Sequence, residues 1–437
     1  MSVQNEIMMG MKIESMVTNQ LSTTIITTGA KFIFAGDTLA CFQRIPQERK
    51  ILEVKSGGSV FNVERADDFT CVAASETMTM KIQGDSIVIM NPRAEVKVGF
   101  AGLFKPSYVQ EKDGRRIFID EQGGFGIYPV ASKKSTNPDL QKNSWQIDYT
   151  LDKSDELWLS IFPPRPVNKR RLAEAIAHES ISTDPYPSNE IIRSDAKYCK
   201  VFTMHAYFWK DVPEEIKPKT GKYAGRPCPW LTPKHVPADM KEFQRVQDEV
   251  RKQGMKLVVY LAPYYSTAPD ILGEMKRVLD EYKVDGLYFD GVSMDFRKSY
   301  RIVRAAREIL GDDRILYIHC STDPLDSGRI YCPFIDTYAD YILRGEGEGH
   351  WHGLALHDFL RWTISARNIS NSVGYWCYYG STGQSGYVNV LPAQEHIRAA
   401  LDAGARIWRQ THSWSSVGLD VSQFDREYYG SLKSANR

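Results

Sequence analysis

The chain has 437 residues, of which 42% are hydrophobic and 25% charged, a composition typical of globular proteins. Lys and Arg total 55 and Asp and Glu total 54, so the formal net charge is +1. This balance gives no support for a nucleic-acid or membrane partner, since either would favour a clustered positive charge. The length exceeds that of one ordinary domain and predicts two domains, one of them large.

Seven cysteines lie far apart in the chain, without Cys-x-x-Cys or zinc-finger spacing. Their odd number and the apolar neighbours of several predict buried free thiols in a reducing compartment. Residues 1–21 lack the pattern of a signal peptide, and no run of ~18 apolar residues occurs. We therefore expect a cytoplasmic protein. An export signal that has already been removed is the alternative. The sequence is also compatible with a homo-oligomer.

Residues 22–149 consist of short apolar alternations separated by turn residues. Lys31–Ala35 and Ser86–Met90 alternate with period two, and turns such as Gly36-Asp37 follow at intervals typical of all-β domains. This pattern predicts an antiparallel β-sandwich over residues 1–155.

In the rest of the chain, apolar strands alternate with amphipathic helices. Ala238–Gln253, for example, carries Phe243, Val246 and Val250 at helical spacing. The predicted strands are Leu157–Pro163, Lys200–Trp209, Lys256–Tyr264, Gly286–Asp290, Arg314–Cys320, Tyr338–Leu343, Val373–Tyr379 and Ala405–Thr411. The predicted helices are Lys169–His178, Ala238–Gln253, Asp270–Tyr282, Phe296–Leu310, Leu354–Ile369 and Pro392–Asp402.

Eight such strands predict a (β/α)8 barrel over residues 156–437, so the expected fold class is α/β with a sandwich domain in front. An open doubly wound sheet is the alternative. It would normally carry a glycine-rich phosphate loop, and the chain has neither Gly-x-Gly-x-x-Gly nor Gly-x-x-x-x-Gly-Lys. The first strand also has an alternative, because Leu157–Pro163 also fits the last strand of the sandwich.

In such a barrel the active site lies at the carboxyl ends of the strands, so the residues that follow each strand are the candidates. They are rich in aromatic, histidine, arginine and acidic side chains, which suit stacking on sugar rings and hydrogen bonding to hydroxyl groups. The long loop 210–237 is expected to cover the site. The candidate substrate-binding residues are His205, Trp209, Arg226, Trp230, Tyr264, His319, Arg344, Trp351, Trp376, Arg409 and His412.

Asp290 is the central catalytic candidate, because it follows an apolar strand and precedes Gly291. A carboxylate buried at such a place is costly unless it is paired or used. Glycoside hydrolysis needs two carboxyl groups that flank the scissile bond. The predicted partner is Glu346 or Glu348 after the sixth strand, and Asp323 is a third candidate. The structural alternatives are an ion-paired Asp290 and a solvated acidic loop.

The segment Val284–Gly291, with the sequence VDGLYFDG, resembles the nucleophile strand of retaining glycoside hydrolases. In the α-galactosidase-like superfamily an Asp ends the fourth barrel strand and a second carboxylate ends the sixth. The α-L-fucosidases have a similar aromatic-Phe-Asp-Gly strand. The resemblance implies a sugar-cleaving enzyme with Asp290 as nucleophile and Glu346 as second carboxylate. The Lys-Trp-Asp or Lys-Tyr-Asp strand common among α-galactosidases is absent, so the sugar is not identified.

We therefore expect a retaining glycosidase that acts on a carbohydrate substrate and uses no cofactor and no metal. Two alternatives stay open. One is a barrel that binds glycans without cleaving them. The other is a metal-dependent hydrolase or isomerase that uses the strand-end residues His205, His319 and His412.

Overall fold

The computed structural model describes residues 11–58, 60–166, 168, 171, 174–179, 184–221, 223–290, 292, 295–319, 330–346, 372–376, 379–381, 387–389, 394–416 and 418–435. Side chains are not described for residues 344–346, 372–376, 379–381, 387–389, 396, 413, 416 and 433–435. The described residues form two compact units. The first contains the residues up to Asn168 together with 330–337, and the second contains the remainder.

The first unit is built from antiparallel strands, as the period-two pattern predicts. One sheet has the order β1-β2-β3-β4-β5-β10-β14, and the other has the order β11-β12-β13-β15-β9-β8-β7-β6. The strands are β1 Ile13–Thr18, β2 Thr23–Thr27, β3 Ala30–Ala35, β4 Thr38–Gln43, β5 Arg49–Lys55, β6 Asn62–Arg65, β7 Thr70–Ala74, β8 Met78–Gln83, β9 Ile87–Pro92, β10 Val96–Gly102, β11 Tyr108–Lys112, β12 Arg115–Asp120, β13 Gly123–Pro129, β14 Trp145–Leu151 and β15 Leu157–Phe162.

Residues from both sheets share one hydrophobic core. In β3, Ala30, Phe32 and Phe34 are buried while Lys31 and Ile33 are less so, which is the alternation of a strand with one face inward. The same core cluster contains Phe100 of the first sheet and Phe118 of the second. Burial of this apolar surface is the main force that stabilises the unit.

β15 corrects the prediction for the first barrel strand. Leu157–Phe162 pairs antiparallel with β13 on one side and β9 on the other, so it belongs to the second antiparallel sheet. The alternative interpretation of this segment is therefore confirmed. All six of its residues are buried. A central strand covered on both faces shows the same continuous apolar run as a strand of a parallel sheet, and this similarity misled the prediction.

The second unit contains a parallel sheet with the strand order β16-β17-β18-β19-β20-β21-β22-β25 and a separate β23–β24 hairpin. The strands are β16 Ile176–Glu179, β17 Val201–Met204, β18 Lys256–Tyr260, β19 Gly286–Phe289, β20 Ile315–His319, β21 Tyr341–Glu346, β22 Ser372–Trp376, β23 Tyr379–Ser381, β24 Tyr387–Asn389 and β25 Arg406–Ile407. The helices of the described chain are α1 Asn189–Ala196, α2 Met240–Lys252, α3 Ile271–Tyr282, α4 Phe296–Leu310, α5 Pro333–Asp336, α6 Gln394–Asp402, α7 Thr411–Ser416, α8 Val421–Phe424 and α9 Gly430–Ala435, with a π-helix at Asp425–Tyr429.

The predicted complete (β/α)8 barrel is wrong. Most described strands lie in the two antiparallel sheets, and the parallel register is continuous over the six strands β16 to β21. The register shifts between Leu343 and Glu346, and β25 has only two residues. A single isolated bridge between Ala177 and Arg409 joins the two ends of the sheet.

The helices depart from the prediction as well. The segment predicted as helix Lys169–His178 overlaps β16, the true first strand of the parallel sheet. The helix before β21, α5, is a single turn. The predicted helix Leu354–Ile369 lies outside the described residues. A strand of four residues that includes a histidine and a glutamate has no clear periodicity, which is why the sequence pattern missed it.

Four described helices of the parallel-sheet unit begin at an aspartate whose side chain accepts a backbone N–H of the first turn. Asp239 caps α2, Asp270 caps α3, Asp295 caps α4 and Asp420 caps α8. Such caps satisfy N–H groups that have no partner inside the helix. Among the described residues, no helix has both the length and the apolar character needed to cross a membrane.

Candidate active site

Asp290 follows β19, the fourth strand of the parallel sheet counted from β16. Every residue of β19 is buried, and the strand lies between β18 and β20. A Cβ at Gly286 would collide with the carbonyl oxygen of Ile315, so the close approach of β19 to β20 requires glycine there. The Asp290 side chain is 28% exposed, so the carboxylate is held by the fold and still reachable.

The carboxylate of Asp290 lies close to residues at the ends of three other strands of the sheet. Nδ1 of His319, the last residue of β20, lies 2.9 Å from Oδ1. The hydroxyl of Tyr260, the last residue of β18, donates to Oδ2 at 3.3 Å. Nε2 of His205, which follows β17, lies 3.9 Å from Oδ2. Parallel strands bring their carboxyl ends to one edge of a sheet, and this places the four side chains together.

Asp290 is ionised at neutral pH. Burial acts to raise its pKa, but the hydrogen bond and charge of His319, the charge of His205 and the Tyr260 hydroxyl together lower its pKa to about 2. An ionised carboxylate only accepts hydrogen bonds, so Nδ1 of His319 must carry the proton between them. Burial and the Asp290 charge hold the pKa of Tyr260 well above its usual value, so its hydroxyl stays a donor.

A second layer of buried rings supports this group from below. The Tyr288 hydroxyl lies 3.1 Å from Nδ1 of His319, and the Tyr317 hydroxyl lies 3.1 Å from Nδ1 of His178. The His178 ring meets Tyr288 edge-on, with ring centroids 4.8 Å apart. Burial lowers the pKa of His178 well below its usual value, so its imidazole is neutral. Burial likewise lowers the pKa of His205 to about 4.

The three tyrosines occupy equivalent places on adjacent strands. Tyr260 pairs with Tyr288, and Tyr288 pairs with Tyr317 in the parallel register. Sequence analysis missed all three because each lies inside an apolar run. It also missed His178, which lies in the segment predicted as helix. Repetition of tyrosine near the end of successive strands is the signal that identifies the layer.

The second predicted carboxylate is only partly described. Glu346 is the last residue of β21, the sixth strand of the parallel sheet, and its backbone pairs with Trp376 of β22. The side chains of Arg344, Glu346 and Trp376 are not described. Three other candidates, Glu348, Trp351 and Asp323, lie outside the described residues.

Three of the predicted sugar-binding residues have structural contacts instead. The Trp209 ring is 1% exposed and donates from Nε1 to the carbonyl of Tyr260 at 2.8 Å. Arg409 is fully buried and forms ion pairs with Asp195, at 2.8 Å, and with Asp425. Such closed contacts leave neither side chain a surface for a ligand. Tyr264 is 9% exposed, and its hydroxyl donates to the carbonyl of Ser299.

His412 lies in a separate buried network at the carboxyl end of β16. Its Nε2 is 3.2 Å from Asp184, and its backbone N–H donates to Glu179, the last residue of β16. Burial, together with the neighbouring charge of Asp195, holds the pKa of Glu179 well above its usual value. Glu179 is 4% exposed, so this carboxyl is enclosed by protein.

The loop 210–237 after β17 contains both predicted covering residues. Trp230 is half-buried, and its ring meets those of Tyr207 and Tyr223, with centroids 6.2 Å and 5.1 Å away. Arg226 is exposed. Neither Tyr207 nor Tyr223 was among the residues predicted to bind substrate.

Within the described part of the chain, no group of three or more His, Cys, Asp or Glu side chains is arranged to hold a metal ion. Cys41, Cys71, Cys199, Cys228 and Cys332 are free and buried, in agreement with the predicted buried thiols.

No protein-family model and no curated protein matches the sequence. The fold shows partial similarity to solved structures. An uncharacterised protein of Listeria monocytogenes has a TM-score of 0.44 at 10% identity, over 92% of this chain and 51% of the other. The cycloalternan-forming enzyme of Listeria monocytogenes, solved with a pentasaccharide substrate, has a TM-score of 0.42 at 10% identity, over 93% and 53%.

A GH31 dextranase of Flavobacterium johnsoniae has a TM-score of 0.37 at 7% identity, over 92% of this chain and 65% of the dextranase. The chain spans about half the length of the two Listeria proteins.

Proposed function

We propose that this protein is a glycoside hydrolase in which Asp290 is the catalytic nucleophile. The observation that carries the proposal is a strand-end carboxylate that is held by three side chains, stays ionised with a pKa of about 2, and is 28% exposed. A nucleophilic carboxylate must be unprotonated and must have a fixed orientation toward the anomeric carbon. Partly similar solved structures include sugar-acting enzymes, but the proposal rests on Asp290 and its contacts.

The proposed reaction proceeds in two steps. A carboxylate oxygen of Asp290 attacks the anomeric carbon, and the bond to the leaving oxygen breaks as Glu346 donates a proton to it. Glu346 then takes a proton from water, which displaces Asp290 from the sugar and regenerates the free carboxylate. This is the retaining mechanism, and it requires carboxyl groups ~5–5.5 Å apart, whereas inversion requires ~6.5–9.5 Å. Glu348 is the alternative proton donor.

Two features support the assignment of this pair. Asp290 follows the fourth strand of the parallel sheet and Glu346 ends the sixth, which is the arrangement that the resemblance to the α-galactosidase-like superfamily implies. The imidazole of His205 also lies beside Asp290 with its side chain 15% exposed, where it is placed to bond a sugar hydroxyl.

The test is hydrolysis of a panel of aryl α- and β-glycosides by wild type and by Asp290→Ala, with and without EDTA. We expect activity that resists EDTA and falls by at least 1,000-fold in the variant, roughly the effect of removing a covalent nucleophile. Tyr264→Phe is the matched control, because its hydroxyl bonds to Ser299 instead of Asp290. Equal activity of wild type and Asp290→Ala would reject Asp290 as nucleophile.

A further inference from the structure

A series of ring contacts leads outward from Asp290 to the protein surface. His205 lies 3.9 Å from the carboxylate, and its ring centroid is 5.9 Å from that of Tyr207. Tyr207 meets Trp230 edge-on, and Trp230 meets Tyr223 in the same manner. Tyr207 and Trp230 are half-buried, and Tyr223 is 40% exposed. We call Tyr207, Trp230 and Tyr223 the aromatic platform.

The loop that carries the platform is anchored at its base. The Asp211 carboxylate accepts the backbone N–H of Cys228 at 2.6 Å and forms an ion pair with Lys217, also at 2.6 Å. The backbone at Cys228, just before Trp230, is therefore hydrogen-bonded to the start of the loop.

The next strand's loop anchors the other side of the platform. The Ser266 hydroxyl donates to the carbonyl of Thr232 at 2.7 Å. Both the backbone N–H and the hydroxyl of Thr267 donate to the carbonyl of Leu231. These bonds hold the turn Pro229–Leu231, which contains Trp230, so the platform is pre-formed and loses little entropy when a ligand stacks on it.

We propose that the aromatic platform binds the sugar ring next to the one that Asp290 attacks, so the substrate is an oligosaccharide with at least one further sugar over Tyr207 and Trp230. This inference rests on the proposed function. Apolar faces of sugar rings pack on aromatic side chains, and a row of rings that begins beside the nucleophile and becomes more exposed outward suits a chain of sugars. A glycoside with a small aglycone would leave this row unused.

The platform predicts a dependence on substrate length. We would assay gluco-, galacto-, manno- and xylo-oligosaccharides of two to five sugars beside the aryl glycoside of the same sugar. In Trp230→Ala, kcat/KM for the tetrasaccharide should fall about tenfold more than kcat/KM for the aryl glycoside, since one lost ring contact is worth up to ~1.5 kcal/mol. Tyr223→Ala should show a smaller loss of the same kind.

Tyr198→Ala is the matched control. Tyr198 is 37% exposed and stacks on Tyr429 with centroids 4.2 Å apart, outside the platform. In this variant, the ratio of kcat/KM for the tetrasaccharide to kcat/KM for the aryl glycoside should equal the wild-type ratio. An unchanged ratio in both Trp230→Ala and Tyr223→Ala would overturn the platform.

Calorimetric titration with the same tetrasaccharides separates this inference from the proposed function. Wild type that binds a tetrasaccharide through Trp230 but hydrolyses nothing would reject the hydrolase and keep the platform. Hydrolysis that depends on Asp290, with tetrasaccharide affinity unchanged in Trp230→Ala, would keep the hydrolase and reject the platform.

Discussion

Nδ1 of His319 lies 2.9 Å from Oδ1 of Asp290, so a buried imidazole at the end of one strand orients the carboxylate at the end of the next. The Tyr288 hydroxyl oxygen lies 3.1 Å from the same nitrogen and is a second acceptor for its N–H, which helps to orient the imidazole. His319 thus orients the Asp290 carboxylate and is itself held by Tyr288. Such support is expected at a site where the position of a side chain controls the reaction.

Replacing His319 should raise the pKa of Asp290. Without the His319 hydrogen bond and charge, burial dominates, so in His319→Gln the acid limb of the pH profile of kcat/KM should move to higher pH. Activity at the optimum should fall about 10- to 100-fold, as a hydrogen bond to a charged group is worth roughly 1.5–3 kcal/mol. Tyr260→Phe removes a weaker neutral donor and should give a smaller shift in the same direction. An unmoved acid limb in His319→Gln would contradict this role.

Substitution of the glutamates should identify the proton donor. Glu346→Ala should keep most of its kcat/KM on dinitrophenyl glycosides, whose leaving group needs no proton, but its kcat should fall because no base activates water in the second step; on poor leaving groups kcat/KM should fall at least 100-fold. Added azide should accelerate the variant and yield a glycosyl azide of retained configuration. Glu348→Ala is the matched comparison, and the opposite pattern in the two variants would assign the role to Glu348.

The neutral imidazole of His205 should make the fold sensitive to acid. The pKa of His205 is about 4 in the fold against ~6.5 in an unfolded chain, so the unfolded chain binds more protons between these values. Stability should therefore fall as pH drops from ~6.5 to ~4, by about 3 kcal/mol from His205 alone. Urea unfolding of wild type and His205→Phe at pH 7 and pH 5 measures this. A pH dependence that is identical in both proteins would refute it.

Glu179 should have the opposite effect on stability. Its pKa in the fold is raised by burial and by Asp195, so the folded chain keeps a proton that the unfolded chain loses above ~4.5. Glu179 therefore lowers the free energy of unfolding as pH rises above ~4.5, and this destabilisation grows until the pH reaches the raised pKa of the folded state. Glu179→Gln should be more stable than wild type at pH 8 and similar at pH 4, by thermal unfolding.

Asp195→Asn provides the contrast. It removes one of the two carboxylates paired with the buried Arg409 and leaves Asp425 as the other, so it should destabilise the fold by about 1.5–3 kcal/mol at both pH values. If Glu179→Gln destabilised the fold at pH 8 as much as Asp195→Asn does, Glu179 would be ionised in the folded chain.

The order of amino acids by itself determined the features that depend on local pattern. Period-two alternation identified the antiparallel region, and helical spacing identified α2 and α4 within one or two residues. The position of Asp290 at the end of an apolar strand could also be predicted, because an acidic residue after an apolar run marks the point where a strand leaves the core.

Only the tertiary structure decided which strands pair and which polar groups meet. Leu157–Phe162 joined the antiparallel sheet, and His178 came to lie beneath His205 and Tyr288, in each case through contacts between distant parts of the chain. An apolar run reports that a strand is buried on both faces but not which strand lies beside it. The pKa of Asp290 likewise depends on His319, 29 residues away in the chain, and such a contact leaves no local trace in the sequence.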